Sequence, residues 1–152
     1  MLPPTTLLLA HHGTAGAQLA EALAFEVGEP GVTTIVHALV VPGFWAGMQG
    51  DDWLNNASTR DTFARYLEGR LAEENAAQVK ALEQRCGERG FAYRPLLRLG
   101  DPADCVVALA REEKAELVVI GPPRKKGEPG YRSRMSLDTL ARELPCPLLI
   151  AR

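Results

Sequence analysis

The last third of the chain, residues 116–152, constrains the fold more than any other stretch. Its first apolar run, Leu117–Ile120, is rich in β-branched side chains and ends at Gly121. An apolar run of this kind, without polar alternation, is typical of a strand buried on both faces, as parallel strands are between helix layers. A polar and basic stretch follows, from Pro122 to about Arg134.

The same region then predicts a helix and a final strand. Apolar residues recur at helical spacing between Leu137 and Leu144, and the prolines Pro145 and Pro147 end that helix. A second apolar run, Leu148–Ala151, follows the prolines. Strand, long loop, helix and strand in this order form the βαβ unit from which parallel sheets are built.

Three runs upstream also have the composition of strands: Thr5–His11, Val32–Val41 and Phe91–Leu99. Pro95 lies inside the third run. Because proline has no N–H to donate to a strand ladder, we expect this strand at an edge of the sheet.

Helical patterns separate these strands. Leu19, Leu23 and Val27 are the predicted apolar stripe of the first helix, for which Thr14 has the residue type of an N-cap. A long helix is predicted from about residue 58 to residue 89. Its apolar face is expected to consist of Phe63, Leu67, Leu71, Val79, Leu82 and Cys86.

A third helix is predicted after Gly100. Asp101 suits its N-cap and Pro102 its first helical position. Its predicted buried stripe consists of Ala103, Val106, Leu109 and Ala110.

Five strands alternating with four helices predict an α/β fold with an open, doubly wound parallel sheet and helices on both faces. Right-handed crossovers, with the Pro95 strand at an edge, favour the strand order 3-2-1-4-5. The chain then reverses direction between strands one and four, so a ligand crevice is expected at their carboxyl ends. At 152 residues, the chain is expected to form one domain, residues 1–152.

Four pieces of this chain resemble the universal stress protein family. They are Gly100-Asp101-Pro102-Ala103, the opening strand, the strand that ends at Gly121, and Pro145-Cys146-Pro147 before the last strand. The resemblance is weakest between Val41 and Asn56. It implies a Rossmann-like fold of the adenine nucleotide alpha hydrolase type and a role in the stress response.

Nucleotide-binding members of that family share a loop of Gly, two residues, Gly, nine residues, Gly, then Ser or Thr. Counted from Gly121, the second glycine position holds Arg124, the third holds Arg134, and the hydroxyl position holds Met135. The loop therefore keeps its length and loses two of three glycines, which elsewhere allow the backbone to approach phosphate. The resemblance implies a degenerate nucleotide-binding loop.

The expected crevice and the resemblance indicate the same tentative nucleotide or anion site. Its candidate residues are Ala10, His11, His12, Ala38, Ile120, Gly121, Arg124, Arg134, Met135 and Ser136. His12 stands where nucleotide-binding relatives carry an Asp. A neutral imidazole can still accept a hydrogen bond from adenine, or it can serve only to cap the end of a strand.

The loop from Arg124 to Arg134 carries five cations and one acid, Glu128. One interpretation is an ordinary solvated loop. The other is an anion site in which Arg124 and Arg134 replace glycine amides by guanidinium groups, with ATP or AMP as candidate ligands. Nucleic acid is disfavoured because the formal net charge is −2 and Tyr131 is the loop's only aromatic residue.

The sequence gives little support for catalysis. It has no Ser-His-Asp order, no HExxH and no Walker lysine motif, so binding is favoured over turnover. No metal is expected, because His11 and His12 alternate to opposite faces of a strand and no other ligands complete a shell. Three cysteines without CxxC spacing indicate a reducing compartment, and the cytoplasm is expected.

Two segments bear on partners. Leu148, Leu149 and Ile150 would form an apolar strand at the other sheet edge, which invites pairing. The resemblance implies a homodimer through this strand. The aromatic stretch Phe44–Trp53 holds both tryptophans, either folded over the protein's own sheet or in contact with a partner or the crevice. The N-terminal apolar run Leu7–Ala10 is too short for a membrane span, and no membrane association is expected.

Two functions remain open from the sequence. The first is a stress-response regulator that binds a protein partner, has a degenerate ATP site and turns over no substrate. The second is a binder of adenine nucleotide or another phosphate anion through Arg124 and Arg134, with slow ATP hydrolysis.

Overall fold

A computed structural model of the chain describes residues 3–10, 16–41, 73, 76–122 and 135–152. Predictions that fall on Thr14, on the aromatic stretch Phe44–Trp53 and on the first part of the long helix lie outside these residues.

Five parallel strands form one sheet in the order β3-β2-β1-β4-β5, as the sequence predicts. The strands are β1 (Thr6–Ala10), β2 (Thr34–Val41), β3 (Ala92–Leu99), β4 (Leu117–Ile120) and β5 (Leu148–Ile150). The first and fourth strands are neighbours, so the predicted reversal point of the sheet is present.

Helices cover both faces of this sheet. They are α1 (Gly16–Val27), α2 (residues 76–88), α3 (Pro102–Glu112) and α4 (Leu137–Glu143). One apolar cluster contains residues of α3 and α4, and a second contains residues of α1 and α2. No helix in the described part of the chain is long and apolar enough to cross a membrane.

β1 lies in the middle of the sheet and carries the densest burial. Leu7, Leu8 and Leu9 have no exposed surface. Leu7 and Leu9 belong to the cluster under α1 and α2, whereas Leu8 and Ala10 belong to the cluster under α3 and α4. This alternation of faces is what a period-two strand produces when helices cover both sides.

β3 is an edge strand, as Pro95 predicts, with Pro95 opposite His37 of β2. Two ion pairs connect this edge to the end of α3. Arg94 pairs with Glu113, and Arg98 contacts Glu112 at 3.3 Å. These arginines are partly exposed, so each pair is expected to contribute about 1 kcal/mol or less.

The prediction that Leu19 belongs to the buried stripe of α1 is wrong, because its side chain is 44% exposed. The buried residues of α1 are instead Ala17, Ala20, Glu21 and Ala24, with Leu23 and Val27 packed at the margin of the core. Small side chains let the helix lie close to the sheet. A Cβ on Gly28, just after the helix, would lie 2.9 Å from the Phe91 ring.

The strand boundaries also differ from the prediction by one or two residues. Val32 is 47% exposed in the turn after α1, and β2 begins at Thr34. Phe91 is buried just before β3 begins, and β5 ends at Ile150 rather than at Ala151. Phe91 and Ala151 are core residues although neither belongs to a strand. At these two positions the apolar run predicts burial correctly and the end of the strand incorrectly.

The third helix agrees with its prediction. Asp101 is the N-cap of α3, and its carboxylate accepts a hydrogen bond from the N–H of Asp104 at 3.0 Å. Pro102 follows in the first turn. All four residues of the predicted stripe have no exposed surface: Ala103, Val106, Leu109 and Ala110.

α2 ends in a Schellman motif closed by glycine. The N–H of Phe91 donates to the carbonyl of Cys86 at 2.9 Å, and the N–H of Gly90 donates to the carbonyl of Gly87 at 3.2 Å. Gly90 has φ +81°. Glycine suits this left-handed position because it has no Cβ.

α3 ends in the same motif without a glycine. The N–H of Ala115 donates to the carbonyl of Ala110 at 2.9 Å, and that of Lys114 donates to Arg111 at 3.3 Å. Lys114 has φ 54°, the left-handed conformation that costs a side-chain-bearing residue about 1 kcal/mol. The exposed Lys114 therefore carries a conformational cost that Gly90 avoids.

We predict that Lys114→Gly raises the free energy of unfolding by about 1 kcal/mol, because it removes that cost. Lys114→Ala is the matched control and should give little gain, since alanine keeps a Cβ. Gly90→Ala should destabilise by a similar amount or more, because its Cβ would lie 3.3 Å from Cβ of Pro30. Urea unfolding followed by circular dichroism measures all three. Equal stability of the two Lys114 variants would contradict the prediction.

Candidate functional site

Three apolar residues lie side by side at the reversal point of the sheet. Ala10 at the end of β1 pairs with Ala38 on one side and with Ile120 on the other. All three are at most 4% exposed and belong to the cluster under α3 and α4. The structure therefore brings these three predicted residues side by side, but their side chains are packed in the core under α3 and α4.

Gly121, which follows β4, lies against the backbone at the start of α1. A Cβ on Gly121 would be 3.0 Å from the carbonyl oxygen of Gly16 and 3.2 Å from its carbonyl carbon. A Cβ on Gly16 would in turn be 2.8 Å from Cδ of Pro122. Neither residue has room for a side chain unless a neighbour moves.

Gly16 was not singled out by the sequence analysis. The available signal was the recurrence of small residues at the start of α1, where Gly16 and Ala17 follow Gly13. Such a run is also common in loops. The close approach becomes visible only once β4 is known to lie beside β1.

Met135 and Ser136, at the far end of the basic loop, both have structural contacts. Met135 packs against the apolar cluster under α3 and α4. Ser136 is the N-cap of α4, and its hydroxyl oxygen accepts a hydrogen bond from the N–H of Thr139 at 3.2 Å. The Thr139 hydroxyl donates to the same oxygen at 3.0 Å.

The other predicted site residues, His11, His12, Arg124 and Arg134, lie outside the described residues. The anion-site interpretation of the basic loop therefore stays a prediction. So does the hydrogen bond from adenine to His12.

His37, the third histidine, lies in the core of the sheet. Its side chain has no exposed surface, and its Nδ1 is hydrogen-bonded to the hydroxyl of Tyr93 at 2.8 Å. Burial raises the pKa of Tyr93, so the phenol stays protonated. Within the described ranges, no three His, Cys, Asp or Glu side chains are grouped closely enough to hold a metal ion.

Burial also raises the pKa of all three cysteine thiols. The pKa of Cys86, which is fully buried and lies near the carboxylate of Glu21, rises to about 11. Those of Cys105 and Cys146 rise mainly through burial too. Since the thiolate is the reactive form, none of the three has the lowered pKa of a catalytic cysteine.

Glu21 and Arg85 join α1 to α2 on the same side of the sheet. The Arg85 guanidinium donates to both carboxylate oxygens of Glu21, at 2.7 and 2.8 Å. Glu21 is nearly buried, so removal of the arginine would leave an acid with poor solvation. The sequence pattern did not identify this pair, because its two residues are 64 positions apart.

An apolar groove of about 330 Å³ lies between β3 and α2. Its lining consists of Leu39, Ala76, Val79, Lys80, Glu83, Pro95 and Leu97.

A model of the "Universal stress protein family" matches residues 8–152. A search of curated protein sequences finds no match. Among solved structures, a universal stress protein family member from Burkholderia pseudomallei is 24% identical, with a TM-score of 0.66. The alignment covers 96% of this chain and 94% of that one.

Two further structures contain bound nucleotides. A universal stress protein in complex with cAMP is 17% identical, with a TM-score of 0.60 and coverage of 99% of this chain and 98% of that one. A family protein from Arabidopsis thaliana with AMP bound is 14% identical, with a TM-score of 0.59 and coverage of 97% and 91%. At these identities, the likeness shows the shared fold.

We predict that Cys86 resists thiol reagents in the folded protein. A pKa of about 11 lowers the thiolate fraction at pH 8 roughly 100-fold relative to an ordinary thiol, and burial blocks access as well. A Cys105→Ser, Cys146→Ser variant should react with a chromogenic disulfide at pH 8 only after urea is added. The matched control, Cys86→Ser with Cys146→Ser, should react faster because Cys105 is partly exposed. Rapid stoichiometric reaction of Cys86 without urea would contradict this.

Proposed function

The chain belongs to the universal stress protein family, and from that premise we propose that it is a stress-linked regulatory protein that acts by binding. In this proposal, the nucleotide site is degenerate and the protein has no ATP turnover of its own. It is a single domain that works in the cytoplasm, in keeping with three free cysteines.

The main support for this proposal comes from the contacts of Met135 and Ser136, at the far end of the basic loop. Met135 stands at the family's hydroxyl position and packs against the apolar cluster, so it offers no polar group to a phosphate. Ser136, the next hydroxyl, accepts two hydrogen bonds from Thr139. Both residues therefore have contacts within the protein that explain them without a phosphate: Met135 packs in the core and Ser136 caps α4.

The rest of the crevice supports the same proposal. Ala10, Ala38 and Ile120 are packed in the core and offer no polar side chain to a ligand. The family's second and third loop glycines are replaced by Arg124 and Arg134. Without those glycines, the close backbone approach that phosphate binding by main-chain amides uses is more costly.

A second candidate function is the binding of an adenine nucleotide or another phosphate anion, with slow hydrolysis. It is favoured by the two family structures with cAMP and AMP bound. In this proposal, guanidinium groups of Arg124 and Arg134 replace main-chain amides as donors to phosphate.

Thermal melting with millimolar ATP-Mg, AMP or inorganic phosphate separates the two functions. A ligand at 100 times its Kd stabilises by about 2.7 kcal/mol, which for a chain of this size is a rise of roughly 5–10 °C. We expect no saturable rise for the wild type and no phosphate release from ATP.

A saturable rise that Arg124→Ala with Arg134→Ala abolishes would instead establish the second function. Arg142→Ala is the control, because that arginine is 73% exposed on α4 and pairs only with Asp138 in the described structure. Turnover of ATP by the purified wild type would contradict the first proposal.

The same proposal includes a twofold homodimer through β5. Within the described strands, β5 is paired on one side only, with β4. Ile150 is 37% exposed there, and Leu148 and Leu149 are partly buried. An apolar edge of this kind gains by pairing with a second copy.

We predict that Ile150→Lys converts a dimer to a monomer, because it places a charge in the apolar interface. Size-exclusion chromatography with light scattering gives the mass. Val32→Lys is the matched control, since Val32 is similarly exposed but lies in the turn after α1. A wild type of monomer mass, or a dimer that survives Ile150→Lys, would contradict the proposed interface.

A further inference from the structure

Gly121 has a local explanation that does not involve a ligand. Among the described glycines, positive φ angles occur at Gly31, Gly90 and Gly100, and Gly121 is not one of them. Its backbone conformation is therefore open to any residue. What excludes a side chain is space, since its Cβ would lie 3.0 Å from the Gly16 carbonyl oxygen.

Gly16 meets the same restriction from the other side. Its Cβ would lie 2.8 Å from Cδ and 3.1 Å from Cγ of Pro122. Real Cβ atoms avoid contacts this short, because dense interiors do not absorb an added carbon without a shift. The two glycines thus share one contact, in which the start of α1 lies directly on the chain leaving β4.

We propose that Gly16 and Gly121 are positioning residues beside the expected crevice: their backbone contact fixes the start of α1 against the chain that leaves β4. This inference rests on the proposed function only in taking the reversal point of the sheet as the binding crevice. The family resemblance assigns Gly121 to a phosphate-binding loop. The contact assigns it a packing role that operates without any ligand.

The test uses the full chain without nucleotide. Gly121→Ala and Gly16→Ala should each lower the melting midpoint by roughly 3–10 °C, the range expected for an added carbon in a packed site. Gly87→Ala is the control, since a Cβ there would meet nothing within 4 Å, and it should not lower the midpoint. A wild-type midpoint for Gly121→Ala would overturn the inference.

Rescue by a second substitution identifies the contact itself. Pro122→Ala removes the ring atoms that Gly16→Ala would strike, so the pair Gly16→Ala, Pro122→Ala should recover most of the lost midpoint. The pair Gly121→Ala, Pro122→Ala should recover little, because Gly121 would strike the backbone of Gly16. Equal rescue of both, or rescue of neither, would overturn the inference. If Gly121→Ala fails to fold, the comparison of Gly16→Ala with the double variant Gly16→Ala, Pro122→Ala still tests the inference.

Hydrogen exchange shows whether the effect is positional. In Gly16→Ala, exchange should rise in peptides covering residues 6–10, 16–27 and 117–122 and stay unchanged in α3. Ile35→Val, a core change at the opposite end of the sheet, should not produce that local pattern. A uniform rise in Gly16→Ala would show general destabilisation and overturn the positioning role. No outcome here depends on ATP, so loss of the proposed function and loss of this inference are distinguishable.

Discussion

The pairing of β1 with both β2 and β4 is the constraint on which the rest of the structure depends. β1 contributes Leu7 to Ala10, of which none is more than 2% exposed, and it lies in the middle of the sheet. The chain departs from β1 toward β2 and later returns on the other side at β4, and the carboxyl ends of such a strand pair are where ligands bind in open α/β sheets. Ala10, Ala38, Ile120 and Gly121 take their places from that geometry.

The two faces of the sheet differ in chemistry. The cluster under α3 and α4 consists of apolar residues throughout its described membership. The face under α1 and α2 also holds His37 with Tyr93, and Glu21 with Arg85. Buried polar pairs contribute little net stability compared with apolar packing, but they penalise a misplaced helix strongly. The second face therefore has an ion pair that joins α1 to α2 in addition to its own apolar cluster.

The strand order was predictable because Pro95 selects an edge and right-handed crossovers leave few alternatives. The buried stripe of α3 was predictable because its apolar residues keep helical spacing beneath a clear N-cap. Leu19 could not be placed correctly, since α1 turns its alanines to the sheet and hydrophobicity alone favours leucine. The distance between a helix and a sheet is set by the smallest side chains between them, and no sequence pattern reports it.

The candidate site was predictable only in outline. Strand order places Ala10, Ala38 and Ile120 together, and the family loop can be counted from Gly121. The contact between Gly121 and Gly16 could not be predicted, because the two residues are 105 positions apart in the sequence. They meet only because β4 returns to lie beside β1. The sequence predicts a helix that begins near Ser136. It does not predict that the Ser136 hydroxyl oxygen accepts two hydrogen bonds from Thr139.

Pro95 has a consequence for how large an assembly of this fold can grow. A sheet extends by adding strands to an edge whose peptide groups are all available, and proline interrupts the β3 edge in the middle of its eight residues. If copies meet through β5, each outer margin of the combined sheet is a β3 strand. At each margin, Pro95 has no N–H to donate to a further strand, so the sheet is not expected to extend into a fibre.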